Sequence, residues 1–301
     1  MNKKVILVLI LLAFISFNNF VYPEQSGGVF LEMVNSAKAV GLGENFVAVC
    51  DDVFGLRYNP AGASVCGNQL SYMRQFYIQD FYGDFIGGIC QIPEDNVSIG
   101  IAGYFLGMKE EPIYNRYGGE TGEKFKYGSS IYSLTLSYKS GNLTAGTSFK
   151  FYSEEIGKYK DNQLTADFGY LLQLDRFQLG ISGLNLLGDI ADDFSLPKTI
   201  KAGISYVYKK EYPEIFSGFT ISTEYDYQIV RKKYSVGIGG EIGFANIVFI
   251  RSGYKLKEDF GVLNFGFGIK IKRFNLDYSL SNLRNFGLSH NISVSLLYQP
   301  N

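Results

Sequence analysis

The side chains best suited to nucleophilic or metal chemistry are few: one histidine, His290, and three cysteines, Cys50, Cys66 and Cys90. An acyl hydrolase needs a histidine within reach of a serine hydroxyl. His290 and Ser293 are three positions apart, so on a strand they point to opposite faces. No Cys/His spacing suits zinc, and no phosphate-binding loop is present. The odd cysteine count leaves two readings open: Cys50 paired with Cys66 across a short loop, or three thiols at packed positions. Asp51 and Asp52 could hold a cation or could cap a turn. No enzyme, metal or cofactor is expected. A net charge of −1 gives no basic surface for nucleic acid.

The elements that would position these residues are strands. Tyr (23), Phe (25) and Gly (35) are abundant, whereas Pro (7) is sparse and Trp absent, a composition suited to strands and tight turns. Lys3, Lys4 and the apolar run Val5 to Phe17 read as an export signal, assigned to residues 1–25 with an unclear cleavage site; the other reading is an uncleaved anchor, for which the run is short. No later apolar run approaches the roughly 20 residues of a spanning helix.

From residue 68 onward the chain alternates. Strands are predicted near 68–77, 81–91, 96–107, 130–139, 142–152, 163–173, 176–184, 197–209, 216–227, 233–243, 246–255, 260–271, 273–281 and 287–298. In the last, Ile292, Val294, Leu296 and Tyr298 oppose Asn291, Ser293 and Ser295. In 260–271, Leu263, Phe265, Phe267 and Ile269 oppose Asn264, Gly266, Gly268 and Lys270. An even number of strands of about 9–11 residues, each with an apolar and a polar face, is the pattern of a transmembrane antiparallel β-barrel. In lipid a sheet can satisfy its backbone only by closing. Gaps at 140–141, 174–175, 244–245 and 272 are tight, while 108–129, 153–162 and 185–196 are long, and all three long gaps fall on one rim. That rim would be the outer one if both termini are periplasmic. The loop 108–129 reads either as a solvated loop with crossing ion pairs or as a partner-contacting one. By parity, Lys150, Asp167, Lys201, Glu224, Asp226, Glu241, Arg251, Lys270 and Asp277 face the lumen, either as an ion-pair network or as a permeation path. His290 shares the lipid-facing parity of Ile292.

Residues 29–67 do not alternate. Small residues at 37, 39, 41, 43 and 48 permit close backbone packing. Asn59 is a good N-cap and Pro60 suits a first turn, so Asn59 is expected to shape a turn, with Asp an adequate replacement. A compact segment of this kind could fill a barrel lumen and make it gated. The domain reading is therefore 1–25 signal, 26–67 hatch or plug, and 68–301 barrel.

The motif Gly41-Leu-Gly43, Phe46-Val-Ala-Val, Asp51-Asp52 and Asn59-Pro60-Ala61 resembles the N-terminal hatch of FadL-type hydrophobic-compound transporters. It is similar also to the related PorV/PorQ-type outer-membrane proteins, with Glu44-Asn45 and Cys50 standing where small residues are usual. Asn185-Leu-Leu-Gly188, Leu196-Pro197, Leu276-Asp-Tyr278 and the terminal Ser289 to Leu296 stretch extend the likeness over most of the chain. The resemblance implies an outer-membrane barrel that meets membrane lipid and the barrel-assembly machinery. It also implies one of two roles. One is passage of hydrophobic small molecules by capture at the outer side, plug movement and escape through a gap in the wall. The other is binding of exported cargo proteins as a partner of type IX secretion. The plug motif residues would be Gly41, Gly43, Asp51, Asp52, Asn59, Pro60 and Ala61. Candidate ligand contacts are Phe46, Phe54, Tyr58, Arg251 and Glu224.

Overall fold

The computed structural model describes residues 25–26, 30–33, 36–77, 81–191, 194–212, 215–257, 261–282 and 287–298. The expected export signal thus lies outside the described residues. Fourteen antiparallel strands close into one barrel. They are β1 (Gln69–Phe76), β2 (Phe81–Ile92), β3 (Val97–Met108), β4 (Tyr127–Ser140), β5 (Leu143–Ile156), β6 (Tyr159–Leu174), β7 (Phe177–Leu184), β8 (Thr199–Lys209), β9 (Phe216–Gln228), β10 (Lys233–Phe244), β11 (Val248–Lys257), β12 (Gly261–Ile271), β13 (Phe274–Asn282) and β14 (Leu288–Leu297). Each predicted strand overlaps one of these. Closure comes from β14 pairing with β1, Leu297 opposite Gln69 and His290 opposite Phe76. No edge is left for uncontrolled pairing.

Both ends of the barrel chain lie at one rim, here called the near rim. Its turns are tight, with two residues at 141–142, 175–176 and 272–273, and Gly141, Asp175 and Lys272 adopt the positive φ that such hairpins require. The far rim carries the longer excursions. Residues 109–126 fold into a small hairpin, Glu111–Tyr114 against Glu120–Phe125, with Glu110 bridging Lys124 and Lys126. The expected loop at 153–162 is not a loop. There β5 and β6 stay paired up to Ile156 opposite Tyr159 and project beyond the wall around a two-residue turn. Those residues lack the apolar outer face of the rest of the barrel but keep their backbone groups paired, so polarity alone misplaced the strand ends. Conversely, β7 stops at Leu184, and the Leu186 N–H just beyond it donates to the Ala166 carbonyl of β6 at 2.9 Å. Gln25–Ser26 pairs in parallel with Phe194–Ser195.

The outward faces carry the apolar set, among them Leu134, Phe149, Ile181, Ile221, Ile238, Ile250, Phe265, Leu276 and Ile292, all exposed. The inward faces are small or polar over most of the circuit. Serines and threonines such as Ser148, Ser182, Ser205, Ser222 and Ser279 are buried there.

The lumen is occupied. Ser36 caps the short helix Ala37–Gly41, accepting the Ala39 N–H. Asp52 caps the 3-10 turn Val53–Arg57, accepting the Gly55 N–H at 3.2 Å. Asn59 caps a second 3-10 turn, Pro60–Ser64, accepting the Ala61 N–H at 3.1 Å, with Pro60 in the first position. Buried alanines, glycines and valines keep this segment narrow enough for the space.

Candidate functional site

Segment 36–67 runs around the inside of the wall and meets every strand. The helix at 37–41 lies on β11 to β14. Backbone at 42–43 lies on β10 and β11, and Val47 lies against β7 and β8. Asn59 and Pro60 press on β6 and β5, Leu56 on β3, and Phe54 on β2 with ring centroids 4.6 Å apart. Ser64 bonds Ser98 at 3.1 Å and also Ser137 on β4, and Val53 donates to Gln69 of β1 at 2.8 Å. Glu224 of β9 accepts the N–H groups of Phe46 and Val47, each at 2.7 Å.

The approach is this close because the wall offers glycine where the segment touches. A methyl built on Gly180 would stand 2.2 Å from the Val47 carbonyl oxygen, on Gly253 2.1 Å from the Gly43 nitrogen, and on Gly239 2.1 Å from the Leu42 oxygen. Gly146, Gly169 and Gly266 would clash likewise with Pro60, Asn59 and Gly41. The inward glycines are thus a girdle at the level of the segment. The inward parity of Gly237, Gly239, Gly266 and Gly268 was visible in the sequence. Their purpose was not, because it depends on what lies opposite.

The lumen has two halves. Between β1 and β5 the inward side chains include Met73, Phe85, Ile89, Tyr104, Leu106, Ile131 and Tyr152, which pack with Phe30, Leu31, Phe54 and Leu56 of the inner segment in one apolar cluster. Between β5 and β13 the inward side chains are charged. Lys150 pairs with Asp167. Lys201 meets Glu224 and Asp226, each at 2.9 Å. Lys255 meets Asp226 at 2.5 Å and Glu44 of the inner segment at 3.4 Å. Arg251 bridges Glu241 at 2.6 Å and Asp277 at 2.5 Å. At the near side Lys38 of the inner segment meets Asp51 at 2.6 Å. Of the charges assigned to the lumen by parity, Lys270 lines the near-rim mouth and is exposed there, one residue from the end of β12. Lys255 was missed because the predicted strand ended there; β11 continues to Lys257, and the parity of Arg251 and Gly253 carries on to it.

The candidate ligand residues do not converge on one point. Phe46 and Tyr58 meet edge to face, centroids 5.4 Å apart, with the Lys201 ammonium 5.7 Å from the Tyr58 ring. Phe54 lies in the apolar half. Glu224 holds the inner segment, and Arg251 sits beneath Gly41. All five are buried. Asp51 is exposed at the near side, whereas Asp52 is buried. Burial and the neighbouring Asp51 push the Asp52 carboxyl up to about 7 despite Lys38. Burial would raise Glu44 too, but Lys257, Lys255 and Lys201 draw it down to about 2. Cys50 is buried, Cys66 half-buried and Cys90 exposed, all as free thiols. His290 faces outward and Ser293 inward, so no hydrolase pair forms.

A cavity of about 300 Å³ opens toward the far rim above the segment, lined by Leu31, Tyr58, Leu184, Lys150, Lys201 and Lys255 among others. A second, of about 460 Å³, opens toward the near rim below it, lined by Lys38, Asp51, Asp52, Glu241, Arg251 and Asp277 among others. The segment is therefore the partition between two vestibules.

A closed fourteen-strand barrel, apolar outside and partitioned within, is the class of protein that the fold defines. The Pseudomonas putida toluene transporter TodX has this fold, with a TM-score of 0.62 at 12% identity over 92% of this chain and 99% of that one. The deltaS2 mutant of the TodX monoaromatic hydrocarbon channel gives 0.64 at 12% identity over 88% of this chain and 99% of that one. A Pseudomonas aeruginosa FadL homologue gives 0.55 at 10% identity over 88% of this chain and 98% of that one. At such identities the likeness is one of fold. No protein-family model and no curated protein matches the chain.

Proposed function

We propose that this chain is an outer-membrane barrel that binds hydrophobic compounds and passes them across the membrane, with segment 36–67 as its gate. The observation that carries this reading is the partitioned lumen, whose apolar half runs beside the partition from β1 to β5. A water channel needs an open polar lumen; here the lumen is closed by the segment, and one half of it is apolar. A hydrophobic solute could replace Phe30 beside Tyr152, where the two rings lie 6.5 Å apart in the apolar cluster. The likeness in fold to solved hydrocarbon transporters supports the same reading. The gap in the wall implied by the sequence resemblance would lie beside the short β7, which ends at Leu184. Cargo capture, the other role implied by the resemblance, rests on sequence motifs alone.

The test has two parts. Unheated and boiled samples from the outer-membrane fraction should migrate differently on a detergent gel; equal migration and recovery in the soluble fraction would refute the membrane barrel. Cells carrying the chain should take up toluene faster than cells without it, with no change for a small sugar. Equal toluene uptake would refute the transport reading.

A further inference from the structure

Among the described outward-facing positions of the fourteen strands, charged or imidazole side chains are five. Glu155 and Lys160 face each other in the hairpin that projects beyond the wall. The other three, Arg74, Asp84 and His290, lie within the apolar band and sit together on β1, β2 and β14. Arg74 and Asp84 are direct cross-strand partners, and Ile292 is the next residue in that row. Their ion pair measures 3.1 Å, and the Tyr72 hydroxyl donates to the same carboxylate at 2.7 Å. The guanidinium lies 4.9 Å from the centre of the Tyr82 ring, and its Nε–H, shielded from solvent, meets no acceptor among the described residues. His290 Nδ1 is 2.7 Å from the Tyr278 hydroxyl. Around this patch the wall is apolar, with Leu70, Phe76, Ile86, Ile292 and Val294 exposed.

Charges on a lipid-facing wall are unfavourable in proportion to their depth, so chance would scatter them toward the rims and around the circuit. Here they gather on neighbouring strands. We infer that this face of the barrel, centred on β1 and β2, is the contact between two copies of the chain. This rests on the membrane-barrel reading above. The charge pattern selects the occupant. Two copies inserted in the same orientation can be related by a two-fold axis along the membrane normal, which makes an isologous contact. An axis between β1 and β2 sets Arg74 of each copy opposite Asp84 of the other, because turning one wall to face the other exchanges left and right. The patch complements itself, the unmet Nε–H gains a carboxylate, and Tyr72 and Ile86, partners in the adjoining row, cover the pair from lipid on both sides. An anionic lipid headgroup would compete with Asp84 for the only arginine in the patch.

The experiment uses full-length chains carrying two different tags, co-expressed and extracted from the outer membrane in mild detergent. Wild type is compared with a swapped variant, R74D together with D84R. The swap keeps the pair within each wall, so both forms fold, which is checked by heat-modifiable migration. Wild type should co-purify with wild type, and the swapped variant with itself. Mixed pairs would set like charges opposite each other and should fall at least tenfold. Tagged copies that never co-purify, mixed pairs that form as readily as like pairs, or a solitary barrel that instead loses bound lipid when Arg74 is replaced would each overturn the inference and leave the membrane barrel standing. A chain that stays out of the membrane and is not heat-modifiable overturns both.

Discussion

Asn59 separates a local account of the inner segment from a tertiary one. As an N-cap alone it would be replaceable by Asp, since both side chains accept the N–H of the following turn. The structure gives it a second task. Its amide nitrogen donates to the carbonyl of Val47, within the segment, and to that of Tyr170, on the wall, each at 3.0 Å. The residue is 0% exposed. Asn59→Asp keeps the cap, removes both donors and places a carboxylate against two carbonyl oxygens. Two lost hydrogen bonds come to about 2 kcal/mol, and an unpaired buried charge raises the total to about 3–5 kcal/mol. Asn59→Leu loses the cap and both bonds, about 3 kcal/mol together. Asn59→Ser keeps the cap and loses the bridge, about 2 kcal/mol. The order of damage is therefore Asp at least as severe as Leu, and Leu worse than Ser. The readout is Cys50, whose thiol is buried and donates to the Phe46 carbonyl at 2.8 Å, so it reacts with a maleimide only when the segment opens. With Cys66 and Cys90 replaced by Ser and rates normalised to unfolded protein, Asn59→Asp should speed labelling by about two powers of ten or more, because about 1.4 kcal/mol is tenfold. The buried carboxylate has a raised pKa, so the defect should shrink as pH falls and the group protonates. Wild-type labelling by Asn59→Asp at pH 8 would refute the bridge and restore the cap-only account.

Gly180→Ala and Gly253→Ala should unseat the segment, since their methyl groups would meet backbone atoms that cannot rotate away; single-channel conductance should rise in both, while Gly128→Ala, at a position with open space, leaves it unchanged. Arg251→Leu leaves the buried Asp277 carboxylate without its cation and should lower stability by about 3–5 kcal/mol, read as an earlier loss of the heat-resistant gel band. Asp52 titrates near 7 in the folded chain against 3.8 as an ordinary side chain, so the folded state holds its proton more tightly. Its contribution is present below about pH 4 and lost as pH rises through 7. Dye leak from vesicles should increase from pH 5 to pH 8 in the wild type and stay flat in Asp52→Asn, which also caps; equal slopes would refute the role of Asp52.

Strand number, strand faces and closure were legible because alternation has period two and each strand turns an apolar face outward and the other to the lumen, a constraint that acts on every residue independently of its neighbours. The caps at Asp52 and Asn59 were legible for the same reason, being local. Strand ends at 153–162 were not, because a paired hairpin in water needs no greasy face. Lys255 was missed in the lumen and Lys270 proved to stand at its exposed mouth, because parity gives direction and says nothing of height. The glycine girdle, the bridge from Asn59 to Tyr170 and the division of the lumen into apolar and charged halves belong to the tertiary structure alone. Each depends on which inward position of a strand meets the inner segment, and that meeting is set by the closure of the barrel and the path of the chain within it.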